Sequence, residues 1–206
     1  MIWRSIGLLA AALTLSGCNM VLSEKPLFSK ADTAQTPVFK AGLWAADDPD
    51  CKFDIAAPKY DWPECARGNV VPEGQGVMVG KDGAEILIAA GDPMVIQIHL
   101  PFSPLKKPSK DIYLYGAVIP LERDDKGQVV RVEAWPVECG PPPPKPAESG
   151  MPDPKAFVTR KPLPGLKLTE GNCLATDPKV VRRAAAATRA WQEKPQQSRW
   201  VRDGEK

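Results

Sequence analysis

Between Gly76 and Val137 apolar and polar residues alternate with a period of two, and turn-forming residues interrupt the alternation at short intervals. Such a pattern sends successive side chains to opposite faces, so this stretch is suited to strands in a sheet and not to helices. Val77 and Val79 run into Lys81-Asp82-Gly83, where glycine accepts the positive φ of a tight hairpin, and Glu85-Ile86-Leu87-Ile88-Ala89 follows. Gly91-Asp92-Pro93 makes the next turn. In the run from Met94 to Leu100, Met94, Ile96, Ile98 and Leu100 share one face while Val95, Gln97 and His99 share the other, which predicts a core face and a solvated face. A strand from Ile112 to Leu121 reaches the turn Asp124-Asp125-Lys126-Gly127, and beyond it Val130, Val132 and Ala134 alternate with Arg131, Glu133 and Trp135. Short turns between about five strands make an antiparallel meander.

Proline punctuates the rest. Pro101 to Lys110 carries three prolines and three lysines, a composition excluded from a central strand because proline has no N–H to donate. It is expected as an exposed loop. The stretch from Gly140 through Pro164-Gly165 is extended and locally polyproline II. After it, Asp177 can cap a helix whose first turn suits Pro178, and the helix should run to about Trp191. Val181, Ala184, Ala185, Thr188 and Trp191 form its apolar stripe, set to pack on the sheet, while Lys179, Arg182, Arg183 and Arg189 fall largely elsewhere. Residues 195–206 read as a polar, frayed tail.

The N-terminus has another character. Arg4 precedes an apolar stretch from Ile6 to Leu15, too short for a bilayer that needs roughly 20 residues, and the stretch ends in Leu15-Ser16-Gly17-Cys18. This run resembles a bacterial lipobox. Membership of the lipoprotein family would imply that residues 1–17 are a signal peptide removed on export. The Cys18 thiol would be acylated with fatty chains such as palmitate, and the chain would stay on a membrane by that lipid. Residues 18–40 are then expected as a lipidated tether, and 41–194 as a single globular domain with a proline-rich loop at 140–165. In enterobacterial lipoproteins an Asp after the acylated Cys favours retention at the inner membrane; Asn19 is not Asp, which implies sorting to the outer membrane, facing the periplasm.

With Cys18 assigned to lipid, Cys51, Cys65, Cys139 and Cys173 remain in a chain bound for an oxidising compartment. Four cysteines allow three pairings; spacing favours Cys51 with Cys65 and Cys139 with Cys173. The first pair would hold a loop between Gly42 and Gly68, dense in aromatics and acids, with Trp44 and Trp62 packed beside it. The second would fix both ends of the proline-rich stretch, which cannot secure itself by burial. A zinc site usually shows closely spaced pairs, and no C-x-x-C occurs.

Formal net charge is +2, without the basic excess that phosphate backbones attract, so no nucleic-acid partner is expected. A single histidine, His99, restricts acid-base and metal chemistry. No G-x-S-x-G occurs; Ser103-Pro104-Leu105-Lys106 fits S-x-x-K but lacks S-D-N and K-T-G. Asp47, Asp48, Asp50 and Asp54 could offer oxygen ligands to Ca²⁺, yet without EF-hand spacing they read as a solvated turn around Pro49. Asp61 or Glu64 could in principle belong to a carboxylate pair, which only their separation would identify.

Gly42-Leu43-Trp44 is similar to the G-x-W that opens the first strand of lipocalins. That likeness covers three residues. The run Asp47 to Cys51 breaks a long first strand, and about five strands fall below the eight of a lipocalin barrel. Were it to hold, the core face of the meander would line a ligand cavity. The basic helix face could meet anionic headgroups or another envelope protein, or simply cover the apolar stripe.

The sequence therefore predicts an α+β fold: an antiparallel meander of about five strands with one C-terminal helix packed on it, stapled by disulfides. The expected role is that of a non-enzymatic interaction or structural module on a lipid anchor, with no cofactor, catalytic residue or metal site. A small hydrophobic-ligand binder and an envelope hydrolase using Asp or Glu are the alternatives.

Overall fold

A computed structural model describes residues 19–66, 70–71, 77–79, 85–100, 111–142, 158–169, 171–192 and 195–204. Eleven strands are present among them: β1 (Val21–Ser23), β2 (Gly42–Ala46), β3 (Val70–Val71), β4 (Val77–Val79), β5 (Glu85–Ala89), β6 (Met94–Leu100), β7 (Ile112–Arg123), β8 (Val129–Pro136), β9 (Lys167–Thr169), β10 (Asn172–Leu174) and β11 (Gln196–Arg202). One helix, α1 (Pro178–Thr188), follows β10 and continues as a 3₁₀ turn over Arg189–Trp191.

The five strands legible in the sequence, β4 to β8, form consecutive antiparallel pairs. They are part of a larger mixed sheet. Past β8 the order continues through β11, β2 and β3, all antiparallel. On the same side of β7, next to the end of β8, sits β1, antiparallel to β7 through Leu22 opposite Leu114 and parallel to β10 through Val21 opposite Cys173. The fold is thus mostly β with a C-terminal helix, and a five-strand meander understates it.

All six additional strands lie where none was expected, and β2 opens the segment between Gly42 and Gly68 that was expected as a loop. Residues 19–40, expected as a tether, are part of the fold: β1 is fully buried, Phe28 and Phe39 are buried, and a 3₁₀ turn over Lys30–Thr33 lies against β5. The region 195–206, expected as a frayed tail, supplies β11, which is hydrogen-bonded on both edges by β8 and β2. Its polar side chains find partners there, since Arg199 pairs with Asp47 and Arg202 donates to the Ala56 and Ala57 carbonyls.

Both faces of the meander are covered. On one, Leu87, Ala89, Val95, Tyr115, Ala117, Trp135 and Val137 pack under Val180, Val181, Ala184 and Ala185 of α1. This is the face read as solvated, yet Val95 is 0 % and Gln97 5 % exposed, because α1 and the N-terminal segment lie over it. The helix stripe is Val180, Val181, Ala184, Ala185 and Thr188; Trp191 is only partly covered. Asp177 caps α1 by accepting the Lys179 N–H at 2.8 Å, and Pro178 opens it without leaving a donor unpaired. Trp135 ties helix to sheet, its indole N–H donating to the Ala185 carbonyl at 2.9 Å.

On the opposite face Ile88, Met94, Ile96, Ile98, Ile112, Leu114, Val118 and Val132 meet Phe39, Trp44 and Trp200. Trp44 stands on β2, three pairings along the sheet from β7, so the sheet curls until strands from its far side share this core. A third, smaller cluster gathers Leu43, Ala45, Trp62 and Ala66 around Cys51 and Phe53. Alternation along β2 explains why Trp44 does not sit beside that disulfide with Trp62, as expected, but points to the other face. Gly42 has a packing reason of its own: a Cβ there would fall 2.4 Å from the Arg202 carbonyl oxygen of β11.

Candidate functional site

The position that matters most lies next to Cys18. Cys18 itself is outside the described residues, but Asn19, one peptide away, is built into the fold and only 4 % exposed. Its φ of 80° is left-handed, a conformation that Asn tolerates better than most residues. The Asn19 side-chain amide donates to Glu138 Oε2 at 3.2 Å and to the Gly140 carbonyl at 3.3 Å, while its Oδ1 accepts the Thr159 N–H at 3.1 Å. Its backbone N–H donates to the Gly171 carbonyl and its carbonyl accepts the Cys139 N–H. Every polar group of Asn19 is therefore used.

The disulfides form as expected. Cys51 and Cys65 are joined with Cα atoms 5.8 Å apart, Cys139 and Cys173 with Cα atoms 5.6 Å apart. The second bridge grips the start of β1 from both sides, since Cys139 N–H donates to the Asn19 carbonyl and Cys173 N–H to the Met20 carbonyl. It also closes the stretch expected to be proline-rich and extended, of which residues 143–157 lie outside the described set. Glu138, at the same place, accepts from Asn19 and from Gln192 at 3.2 Å each. Burial pushes its carboxyl above the ordinary value, and those two hydrogen bonds offset only part of the effect.

The acidic residues weighed as ligands or catalysts do not converge. Asp47 lies between Arg131 (2.6 Å) and Arg199 (3.4 Å). Asp48 and Asp54 accept backbone N–H groups of Asp50 and Ala56, which makes them turn formers. Asp61 and Glu64 lie on exposed 3₁₀ turns. Among the described residues no three His, Cys, Asp or Glu side chains are grouped to hold a metal ion.

His99 is cross-strand from Tyr113, stacked on its ring at 5.1 Å, and bonded to Asp111 at 2.9 Å. Ser103 and Lys106 lie outside the described residues. Of the helix cations, Arg182 donates to the Ala90 carbonyl at 2.6 Å over the Phe28 ring, and Arg189 pairs with buried Glu133 at 3.0 Å beside Trp135. Arg183 donates to the Pro164 carbonyl at 3.5 Å. These long side chains cover apolar surface and fasten α1. An open depression of about 410 Å³ beside Thr36, Val38, Arg123 and Lys126 is a surface feature. In the curled core, Met94, Ile96, Ile98, Ile112 and Leu114 are each 7 % exposed or less, so these positions are filled by side chains.

No protein-family model, no curated protein and no solved structure matches the chain.

The burial of Asn19 is the site feature the sequence reading missed. Val21, Leu22, Leu27 and Phe28 were the available signal, being more apolar than a solvated spacer requires.

Proposed function

We propose that this chain is a lipid-anchored cell-envelope protein, acylated at Cys18 with residues 1–17 removed, that acts as a non-enzymatic interaction or structural module on the periplasmic side of the outer membrane. The observation that carries the reading is Leu15-Ser16-Gly17-Cys18 at the end of a short apolar segment. The pairing of all four remaining cysteines in two disulfides supports an oxidising compartment. A structural role is supported by the use made of the candidate groups: Asp47, Arg182 and Arg189 are each spent on a partner within the fold.

Growth of the native host with an alkyne-tagged palmitate tests the anchor. The mature chain is expected to take up the tag and partition with membranes, and the Cys18→Ser form to do neither. An intact N-terminus without fatty modification on the native chain would overturn the reading.

A further inference from the structure

A lipid on Cys18 would be separated from the folded body by one peptide unit, about 3.8 Å between Cα atoms. A flexible spacer is therefore missing at the place where the sequence led one to expect it. Asn19 is held by side-chain bonds to Glu138, Gly140 and Thr159, and the Cys139–Cys173 bridge flanks the residues it leads into. Any pull on the anchor is borne at once by the centre of the sheet, where β1 lies between β7 and β10.

We infer that the surface around Asn19 rests directly on anionic lipid headgroups, through exposed Arg160 and Lys161, so that the anchor holds the domain in one orientation. This inference rests on acylation of Cys18. Its second observation is independent of the anchor. Arg160 and Lys161 directly follow Thr159, whose N–H is bonded to Asn19 Oδ1, and both are exposed. The turn that carries them is fixed, because the Lys161 N–H donates to Thr159 Oγ1 at 3.2 Å and the Leu163 N–H to the Cys139 carbonyl at 2.7 Å. Glu138, the carboxylate bonded to Asn19, also accepts from Gln192, so both of its oxygens are engaged within the fold. A cation near an anionic bilayer surface is attracted to it, and the anchor confines these two to that surface.

The opposite end of the molecule supplies an internal control. Lys126 lies in the turn after β7, roughly 25 Å along that strand from Tyr115, at about 3.4 Å per residue, and is exposed. The acylated full chain, reconstituted in phosphatidylglycerol-containing vesicles, is treated with a membrane-impermeant amine-acylating reagent and mapped by mass spectrometry. Lys161 is expected to react at least about fivefold more slowly than in the soluble Cys18→Ser form, with Lys126 unchanged. Inserting twelve Gly/Ser residues between Cys18 and Asn19 should leave the protein on the vesicles and restore Lys161 reactivity, and wholly zwitterionic vesicles should restore it in part. A chain that floats with vesicles while Lys161 and Lys126 react as in solution would overturn the docked orientation and leave the anchor standing. Equal protection on charged and uncharged vesicles would overturn the headgroup contact. A chain that carries no lipid and fails to float would remove the anchor reading, and the orientation with it.

Discussion

Gln97 holds Phe28 by a closed pair of hydrogen bonds: its side-chain carbonyl accepts the Phe28 N–H and its amide donates to the Phe28 carbonyl, both at 3.0 Å. The same Oε1 accepts the Leu27 N–H at 2.8 Å, and Tyr115 OH and Ser23 Oγ meet 2.6 Å apart beside it. Gln97 sits mid-strand in β6, and through these bonds residues 23–28 become a layer of the fold over a sheet face that would otherwise be wet. Burial in this layer pushes the Tyr115 hydroxyl up to about 12.

Replacing Gln97 by Leu leaves the buried Phe28 N–H and the part-buried Leu27 N–H without an acceptor. Each costs about 1–3 kcal/mol when unsatisfied, so Gln97→Leu is expected to lower stability by about 2–4 kcal/mol in denaturant unfolding, despite its greater hydrophobicity. Amide exchange at Leu27 and Phe28 should accelerate more than exchange at Val118. An unchanged unfolding midpoint would show that the segment docks without this clamp.

The central meander was legible because period-two alternation and Gly/Asp/Pro turns are local signals, and β4 to β8 carry both. The same holds for the helix start, where Asp177-Pro178 both caps and nucleates. β1 and β11 were not legible, since a three-residue strand has no period to detect and Gln196–Arg202 reads as polar until its partners on β8 and β2 are known. The burial of Val95 and Gln97 is hidden for a related reason: alternation tells two faces apart but does not say whether something comes back to cover the second. The disulfide pairing followed from spacing and compartment. The role of the Cys139–Cys173 bridge as a clamp on Asn19 and Met20 needed contacts more than 100 residues apart in sequence.

β11 offers a direct check on the position of the C-terminus. Ending the chain at Pro195 would strip β8 and β2 of a shared neighbour and remove Trp200, whose indole N–H donates to the Ala41 carbonyl at 3.0 Å while Lys40 lies over its ring. The truncated protein is expected to lose its cooperative thermal transition and near-ultraviolet circular dichroism. A mere tail would leave both intact.

The two disulfides should differ measurably. On the chain-entropy account a cross-link spanning 14 positions contributes about 3 kcal/mol and one spanning 34 close to 4 kcal/mol. Cys139 and Cys173 are also fully buried, whereas Cys65 is exposed. Mild reduction followed by alkylation is therefore expected to modify Cys51 and Cys65 first, and Cys139→Ala/Cys173→Ala to cost more stability than Cys51→Ala/Cys65→Ala. The reverse order by peptide mapping would contradict the clamp.

Asn19→Asp preserves shape but not chemistry. It removes the amide that donates to Glu138 and Gly140 and places a carboxylate against a carboxylate. A loss of about 2–3 kcal/mol is expected from the missing donors, measured by urea unfolding of the Cys18→Ser background. Any change in membrane sorting seen with this substitution has to be separated from that loss of fold stability, and an equally stable variant would show that the site relaxes around the second charge.

Glu138 also sets a pH dependence whose sign can be worked out. Burial raises its folded carboxyl above 4.5, so the native state binds this proton more tightly than the unfolded chain. Its effect on stability is absent well below the unfolded value relative to the protonated reference. As pH rises from about 4.5 through the raised folded value, ionisation is penalised and unfolding free energy falls. Asp32 and Asp124 have lowered values, held by the Ser29 hydrogen bonds and by backbone N–H groups of the 124–128 turn with Lys40, and lose stability only as pH drops below 3.8. The two trends occupy separate pH windows. Urea unfolding between pH 4.5 and 7 should show a decline in the parent protein that is flattened in Glu138→Gln, and an identical slope in the two would assign the decline to another group.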